Sequence, residues 1–195
     1  MILIITGKNA SGKSTVCNLL KERGYTYYSL SDELRKVAKE KGIGPTRENL
    51  IKLGNEYRTK EGGGVWAKLL CERLRSIQNR EIGQITDIVV DSIRSPFEIE
   101  ELRTLSGFGK LVVIGVDAPI EVRFERAKLR RRSGDGDTLE EFSKKEREEI
   151  TNDPNKQQLQ KCFDLADFVV DNSRDETNLK RELDLLFAKI RTNLT

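Results

Sequence analysis

The opening residues constrain this chain more than any other stretch. Ile2-Leu3-Ile4-Ile5 is a continuous apolar run ending at Thr6-Gly7, the pattern of a strand buried on both faces. The next positions, Gly7-Lys8-Asn9-Ala10-Ser11-Gly12-Lys13-Ser14, fit G-x-x-x-x-G-K-[ST] without deviation. Val16, Leu19 and Leu20 then give a helical stripe that stops at Gly24. Glycines let the backbone curl until consecutive N–H groups face an anion, and the helix starting near Gly12-Lys13 adds the positive end of its dipole. In such a loop Lys13 offers a point charge to β- and γ-phosphates, and Ser14 offers an oxygen to Mg²⁺. Gly7, Asn9, Ala10, Ser11, Gly12, Lys13, Ser14 and Thr15 are therefore the expected ATP-binding segment, with Lys13 also catalytic.

The remaining pattern agrees with one α/β domain. A chain of 195 residues falls within the usual size of a single domain. Tyr25 to Leu30, Thr86 to Val90, Leu111 to Val116 and Phe168 to Val170 read as four further strands, and helical periodicities separate them. That alternation predicts a five-stranded parallel sheet flanked by helices, the P-loop NTPase fold. Ser95 with Glu98, Thr138 with Glu141 and Ser173 with Glu176 fit the S/T-x-x-E capping box. Leu179, Leu183, Leu186 and Ile190 form the apolar stripe of a final helix. Two stretches exceed a plain crossover. Residues 32–80 hold two or three helices, and 128–155 are very polar. The core is then about 1–31, 81–127 and 156–195, with an acceptor-binding insert at 32–80 and a short lid at 128–155, both expected to move over a site.

Composition removes several chemistries. The chain has no histidine, which excludes His triads, His-ligated catalytic zinc and imidazole acid–base steps. Cys17, Cys71 and Cys162 are scattered and odd in number, so each reads as a small buried hydrophobe in a reducing compartment. No stretch approaches the ~20 apolar residues of a membrane span, and no leader precedes the first strand, so a cytoplasmic protein is expected. The net charge of +3 hides an uneven distribution. Residues 121–132 carry six basic and two acidic side chains, a local +4. Without a chain-wide basic stripe or a recognition module, no nucleic-acid partner is expected. Nothing separates a monomer from a homodimer. Ile88-Val89-Val90-Asp91 is an apolar strand ending in an acid, and Asp91 joins Ser14 as a candidate for the Mg²⁺ shell.

Several longer segments resemble small-molecule P-loop kinases. Ser29-Leu30-Ser31-Asp32-Glu33-Leu34-Arg35 resembles the strand–helix junction of nucleoside monophosphate kinases, and Asp91-Ser92-Ile93-Arg94 resembles their third-strand motif, one residue shorter here. Val116 to Arg126, followed by Arg130, is similar to their lid entry. Ala166 to Asn172 is similar to the last strand of dephospho-CoA kinases. Thr46 to Leu50, Leu53 to Arg58 and Gly62 to Trp66 resemble the insert of phage-type deoxynucleoside monophosphate kinases. The resemblance implies a kinase using ATP and Mg²⁺, with Asp32 and Arg35 lining the acceptor pocket and Arg94 clamping the acceptor phosphate.

The residues also carry a reading of their own. Arg123, Arg126 and Arg130 share one helical stripe, where mutual repulsion favours an intervening anion. Arg126 and Arg130 are the expected catalytic pair, with Arg126 also on ATP. Arg47 and Arg58, eleven residues apart with Gly54 between, are roughly 16 Å apart along a helix, too far to grip one phosphate together. Arg58 is carried as an acceptor-side candidate beside the alternative of a solvated face. Trp66 belongs to a stripe with Leu69, Leu70, Leu74 and Ile77 and reads as core rather than as a base-stacking platform. Asp32 is a helix N-cap or a pocket residue. The expected reaction is phosphoryl transfer to a nucleoside or deoxynucleoside monophosphate. One alternative is dephospho-CoA kinase, with Asp32 as the base toward a ribose hydroxyl. The other is a regulatory or nucleic-acid-handling NTPase.

Overall fold

The computed structural model describes residues 1–80, 87–105, 109–131, 135–148, 151–153 and 155–192, apart from the side chains of residues 47, 79, 80 and 148. Five strands, β1 (Ile2–Thr6), β2 (Thr26–Ser29), β3 (Ile88–Asp91), β4 (Leu111–Asp117) and β5 (Phe168–Asp171), form one sheet in the order β2-β3-β1-β4-β5. Every neighbouring pair is parallel, as the alternating pattern predicts. Thr86, expected to open the third strand, lies outside the described residues. Among the described residues the helices are α1 (Lys13–Glu22), α2 (Leu30–Glu40), α3 (Arg47–Glu61), α4 (Val65–Arg80), α5 (Pro96–Arg103), α6 (Ile120–Arg130), α7 (Leu139–Glu148), α8 (Leu159–Asp164) and α9 (Glu176–Thr192). None is long and apolar enough to cross a membrane.

The continuous apolar run of β1 is explained by its central place. Ile2 and Ile4 pack with Trp66, Leu70 and Leu74 of α4 and with Ile99 and Leu102 of α5. Leu3 and Ile5 point the other way, into Val16, Leu19 and Leu20 of α1 and the expected stripe of α9. Each such side chain, once fully buried, contributes roughly 1.5–3 kcal/mol, so both faces anchor the strand that delivers the glycine loop. The order of strands reverses at β1, and in parallel sheets that switch point opens a crevice at the carboxyl edge. All three cysteines are free and buried. Burial pushes the Cys71 thiol up to about 11 and the Cys162 thiol up to about 12, as inert packing groups require.

Two of the three expected capping boxes are found, and one is replaced. Glu98 accepts the backbone N–H of Ser95 at 3.1 Å. Glu141 accepts from Thr138 N at 3.4 Å while Thr138 Oγ1 accepts from Glu141 N at 3.2 Å. Ser173 does not cap α9. Its N–H and hydroxyl are both taken by the Asp171 carboxylate, at 2.9 and 2.8 Å. The cap passes to Asp175, which accepts Asn178 N at 2.8 Å.

The expected insert is α2, α3 and α4, continuous with the sheet's core through Trp66 and Leu70. The expected lid contributes α7. It is anchored on α6 by Phe142, whose ring lies 5.8 Å from that of Phe124, and by Glu146, which pairs with Arg123 and lies 3.7 Å from Lys8. An apolar contact and a shared carboxylate therefore dock this polar helix where the sequence pattern shows only a solvated flap.

Candidate functional site

Gly7 and Gly12 both adopt positive φ, 149° and 94°, and their surroundings leave no room for a side chain. A Cβ on Gly12 would lie 2.0 Å from Asn172 Nδ2, and one on Gly7 would lie 2.3 Å from the Val116 carbonyl. The loop is thus pressed against β4 and against the end of β5. Asn172 Nδ2 donates to the Ser11 carbonyl at 2.8 Å, bracing the loop from behind. Ser11 itself is fully buried and does not line the cavity in front. Lys13, the first residue of α1, lies back over the loop and donates to the carbonyls of Gly7 and Lys8, each at 2.8 Å. Burial lowers its pKa to about 8. The positive charges of Arg94 and Arg130 act in the same direction, and Asp91 opposes them. An ammonium so desolvated and so placed is stabilised by an incoming polyanion.

The arginine stripe of α6 divides by role. Arg123 is buried and structural. Its Nε donates to Ala118 O at 2.9 Å, its Nη1 to Asn9 O at 3.3 Å, and its guanidinium forks onto Glu146. Arg126 is different. Its Nη1 is buried with no hydrogen-bond partner, it lies 3.8 Å from where a Gly12 Cβ would be, and burial lowers its pKa. An orphaned cationic N–H at the mouth of an anion cradle is an incomplete contact. Arg130 closes a clasp. Its Nη2 donates to Asn9 Oδ1 at 2.6 Å and to Asp135 Oδ2 at 2.8 Å, while Asn9 Nδ2 donates to Asp135 Oδ1 at 3.1 Å. The Asp135 carboxylate thereby ties the segment after α6 to the glycine loop.

One cavity of about 1180 Å³ runs from this cradle to the insert. It is lined by Gly7, Asn9, Ala10, Gly12, Lys13, Ser14 and Thr15 of the loop and start of α1, by Asp91, Arg94, Arg126 and Arg130, and by Arg35 of α2 and Arg58 of α3. Most of the expected site residues therefore come together. Asp32 does not join them in the lining. It is half-exposed and holds Arg35, Nη1 to Oδ1 at 2.8 Å. Arg58 is neither solvated nor reaching outward. It is buried against Glu98 at 3.4 Å and donates to Asn55 Oδ1 at 3.3 Å. Gly54 makes this possible, because a Cβ there would press within 3.3 Å of Arg58 Nη1. Arg47's side chain lies outside the described residues. Trp66 is buried in the core as expected, yet it also lines the cavity.

The sequence reading missed Asp135, Asn172, Glu98 and Glu146. Asn172 follows a strand and Glu98 completes a capping box, so both were visible as positions without a partner. Asp135 sits in a loop with no periodicity, and only the approach of the lid to Asn9 gives it meaning. At the metal-binding candidates, Ser14 and Asp91 both line the cavity. One hydroxyl and one carboxylate are a sparse set of hard oxygen donors, the kind Mg²⁺ accepts when phosphates and water complete its shell. Among the described residues there is no cluster of three or more metal-ligating side chains.

This sheet order and glycine loop define a P-loop α/β fold. A gluconokinase from Sinorhizobium meliloti superposes with a TM-score of 0.54 at 18% identity, over 98% of this chain and 94% of its own, a likeness of fold. Residues 3–152 match the family model described as an AAA domain. A UPF0200 protein of Pyrococcus abyssi is 30% identical over 97% of both chains. A UPF0200/UPF0201 protein of Archaeoglobus fulgidus is 32% identical over 99% of this chain, which spans 57% of that relative's length. The chain belongs to this AAA-domain family and to the UPF0200 proteins.

Proposed function

We propose that the protein transfers the γ-phosphoryl group of ATP to a small nucleotide, a nucleoside or deoxynucleoside monophosphate. The observation that carries this reading is the single cavity joining the phosphate cradle to a second, arginine-lined end. Its volume exceeds the roughly 300–1000 Å³ of an ordinary one-ligand pocket. The loop amides and Lys13 hold the donor triphosphate, and Arg126 completes its contact there. Arg130, positioned by Asp135 and Asn9, faces the transferring group. Arg94 and Arg35 grip the acceptor phosphate, with Asp32 fixing the pose of Arg35.

Ser14 and Asp91 would hold Mg²⁺, which when bound neutralises charge on the donor phosphates. An acceptor phosphate oxygen forms the new bond to the γ-phosphorus while the bond to the β-phosphate oxygen breaks. A monophosphate, with a second pKa near 6, is already an anionic nucleophile at pH 7. Positioning and charge then suffice, which suits a chain without histidine.

A coupled ADP-release screen over all ribo- and deoxynucleoside monophosphates and dephospho-CoA tests the reading, with Lys13→Ala as the blank. Turnover of at least one monophosphate is expected. Turnover of dephospho-CoA alone, or salt-sensitive nucleic-acid binding without small-molecule phosphorylation, overturns it.

A further inference from the structure

The far wall of the cavity is chemically one-sided. Arg58 and Trp66, only 4% and 1% exposed, both line it. Each keeps one buried N–H without a hydrogen-bond partner, Nε of Arg58 and Nε1 of Trp66. The acceptor groups around them are already engaged. Glu98 Oε1 accepts from Arg58 Nη2 at 3.4 Å, and Glu98 Oε2 accepts from the N–H groups of Arg94 and Ser95 at 2.6 and 3.1 Å. Asn55 Oδ1 accepts from Arg58 Nη1 at 3.3 Å. Two donors without partners therefore lie buried in residues of this wall, while the carboxylate and amide oxygens named beside them are committed. Buried donors left unmade carry a free-energy cost that a ligand bringing lone pairs removes.

The neighbouring surface is apolar. Leu34, Leu50 and Ile93 line the same cavity. Trp66 is fixed in place by Tyr57, whose ring centroid lies 5.1 Å away. Apolar side chains beside an edge of N–H donors suit a flat heterocycle bearing a carbonyl oxygen.

Resting on the monophosphate reading above, we infer that this wall selects acceptors whose base carries an oxo group, of the hypoxanthine, guanine, uracil or thymine type, over adenine. A carbonyl oxygen of the base accepts from Trp66 Nε1 or Arg58 Nε. Adenine turns an exocyclic amino group toward the same donors and leaves them unpaired. Neither N–H is reached by solvent in this conformation, so the contact forms with a small shift of the two side chains as the acceptor seats.

The test uses IMP and AMP, which differ in the 6-oxo or 6-amino group and the proton on N1. Trp66 is the one tryptophan of the chain, so its fluorescence reports on this wall without any turnover. Titration of the protein should give IMP at least about tenfold tighter binding than AMP, since a site built to hydrogen-bond a group rejects the analogue lacking it. Calorimetry on Trp66→Phe, which keeps the ring packing and removes the N–H, should bring the IMP-to-AMP ratio toward one. Equal binding of both nucleotides by the wild type, tighter AMP binding, or an unchanged ratio in the variant overturns the oxo preference and leaves the monophosphate reading standing. If no nucleoside monophosphate perturbs Trp66 or is phosphorylated, both readings fall together.

Discussion

The two ends of the cavity are built by different means. At the donor end the cradle is backbone, a loop between β1 and α1 pressed so tightly against Val116 and Asn172 that Gly7 and Gly12 admit no side chain. At the acceptor end the wall is side chains, Arg35 from α2, Arg58 from α3 and Arg94 before α5, with Glu98 fixing two of them. A backbone cradle fits any polyphosphate and leaves little to vary. A side-chain wall can be altered one residue at a time, so under the proposed function selectivity for the acceptor would reside there. The donor end should therefore fail by losing its ligand, and the acceptor end by losing its packing or its choice of ligand.

The largest expected effect is at the acceptor end. Glu98→Ala leaves the Arg58 guanidinium buried without its counter-charge and should cost about 3–5 kcal/mol of stability, read as a lower midpoint in urea unfolding. A variant as stable as the wild type would show that Glu98 is not the keystone of this wall. At the donor end, Gly12→Ala forces a Cβ toward Asn172 in a backbone conformation that costs about 1–3 kcal/mol of strain for a non-glycine residue. ATP affinity by calorimetry should fall roughly a hundredfold, about 2.7 kcal/mol. Wild-type affinity would mean that the loop relaxes freely and is no rigid cradle.

A pH dependence sharpens the contrast, because it belongs to Lys13 and the donor end. Burial lowers the Lys13 pKa to about 8, so in the free protein the side chain is neutral above that pH. Bound triphosphate favours the charged form. Binding therefore takes up a proton above pH 8, and ATP affinity should fall by up to about tenfold per pH unit there while staying flat just below. Calorimetry in buffers of different ionisation enthalpy measures the proton directly, and Lys13→Arg should abolish the slope. The smallest effect concerns the clasp between the ends. Asp135→Asn keeps the shape of the contact to Arg130 and Asn9 and removes its charge, so kcat should drop about three- to tenfold with the KM for ATP little changed. A rise in that KM with constant kcat would place Asp135 in donor binding instead.

Local sequence determined the parts that depend on neighbours along the chain. The run Ile2 to Ile5 and the Gly7 to Ser14 spacing specify strand, turn and helix by periodicity and by φ values that glycine alone adopts easily. The five strands and the α9 stripe follow from the same short-range rules. Where a residue's partner lies outside the helix and strand periods, pattern failed. Arg123, Arg126 and Arg130 are equivalent on a helical wheel, yet Glu146, an orphaned pocket position and Asp135 give them three different roles. Ser173 looked like a cap until Asp171 took its hydroxyl. Arg58 offered two readings, and its burial against Glu98, 40 residues away, removes only the solvated one.

Hydrogen-bond partners of that kind are chosen by which elements the sheet order brings together, and the tertiary structure alone decides them. The sequence by itself determined that a phosphate cradle forms and which residues build it. Only the packed chain decided which arginines are left with groups to offer a ligand, because a buried cation is either matched by a nearby carboxylate or held open for an anion, and distance in space settles which.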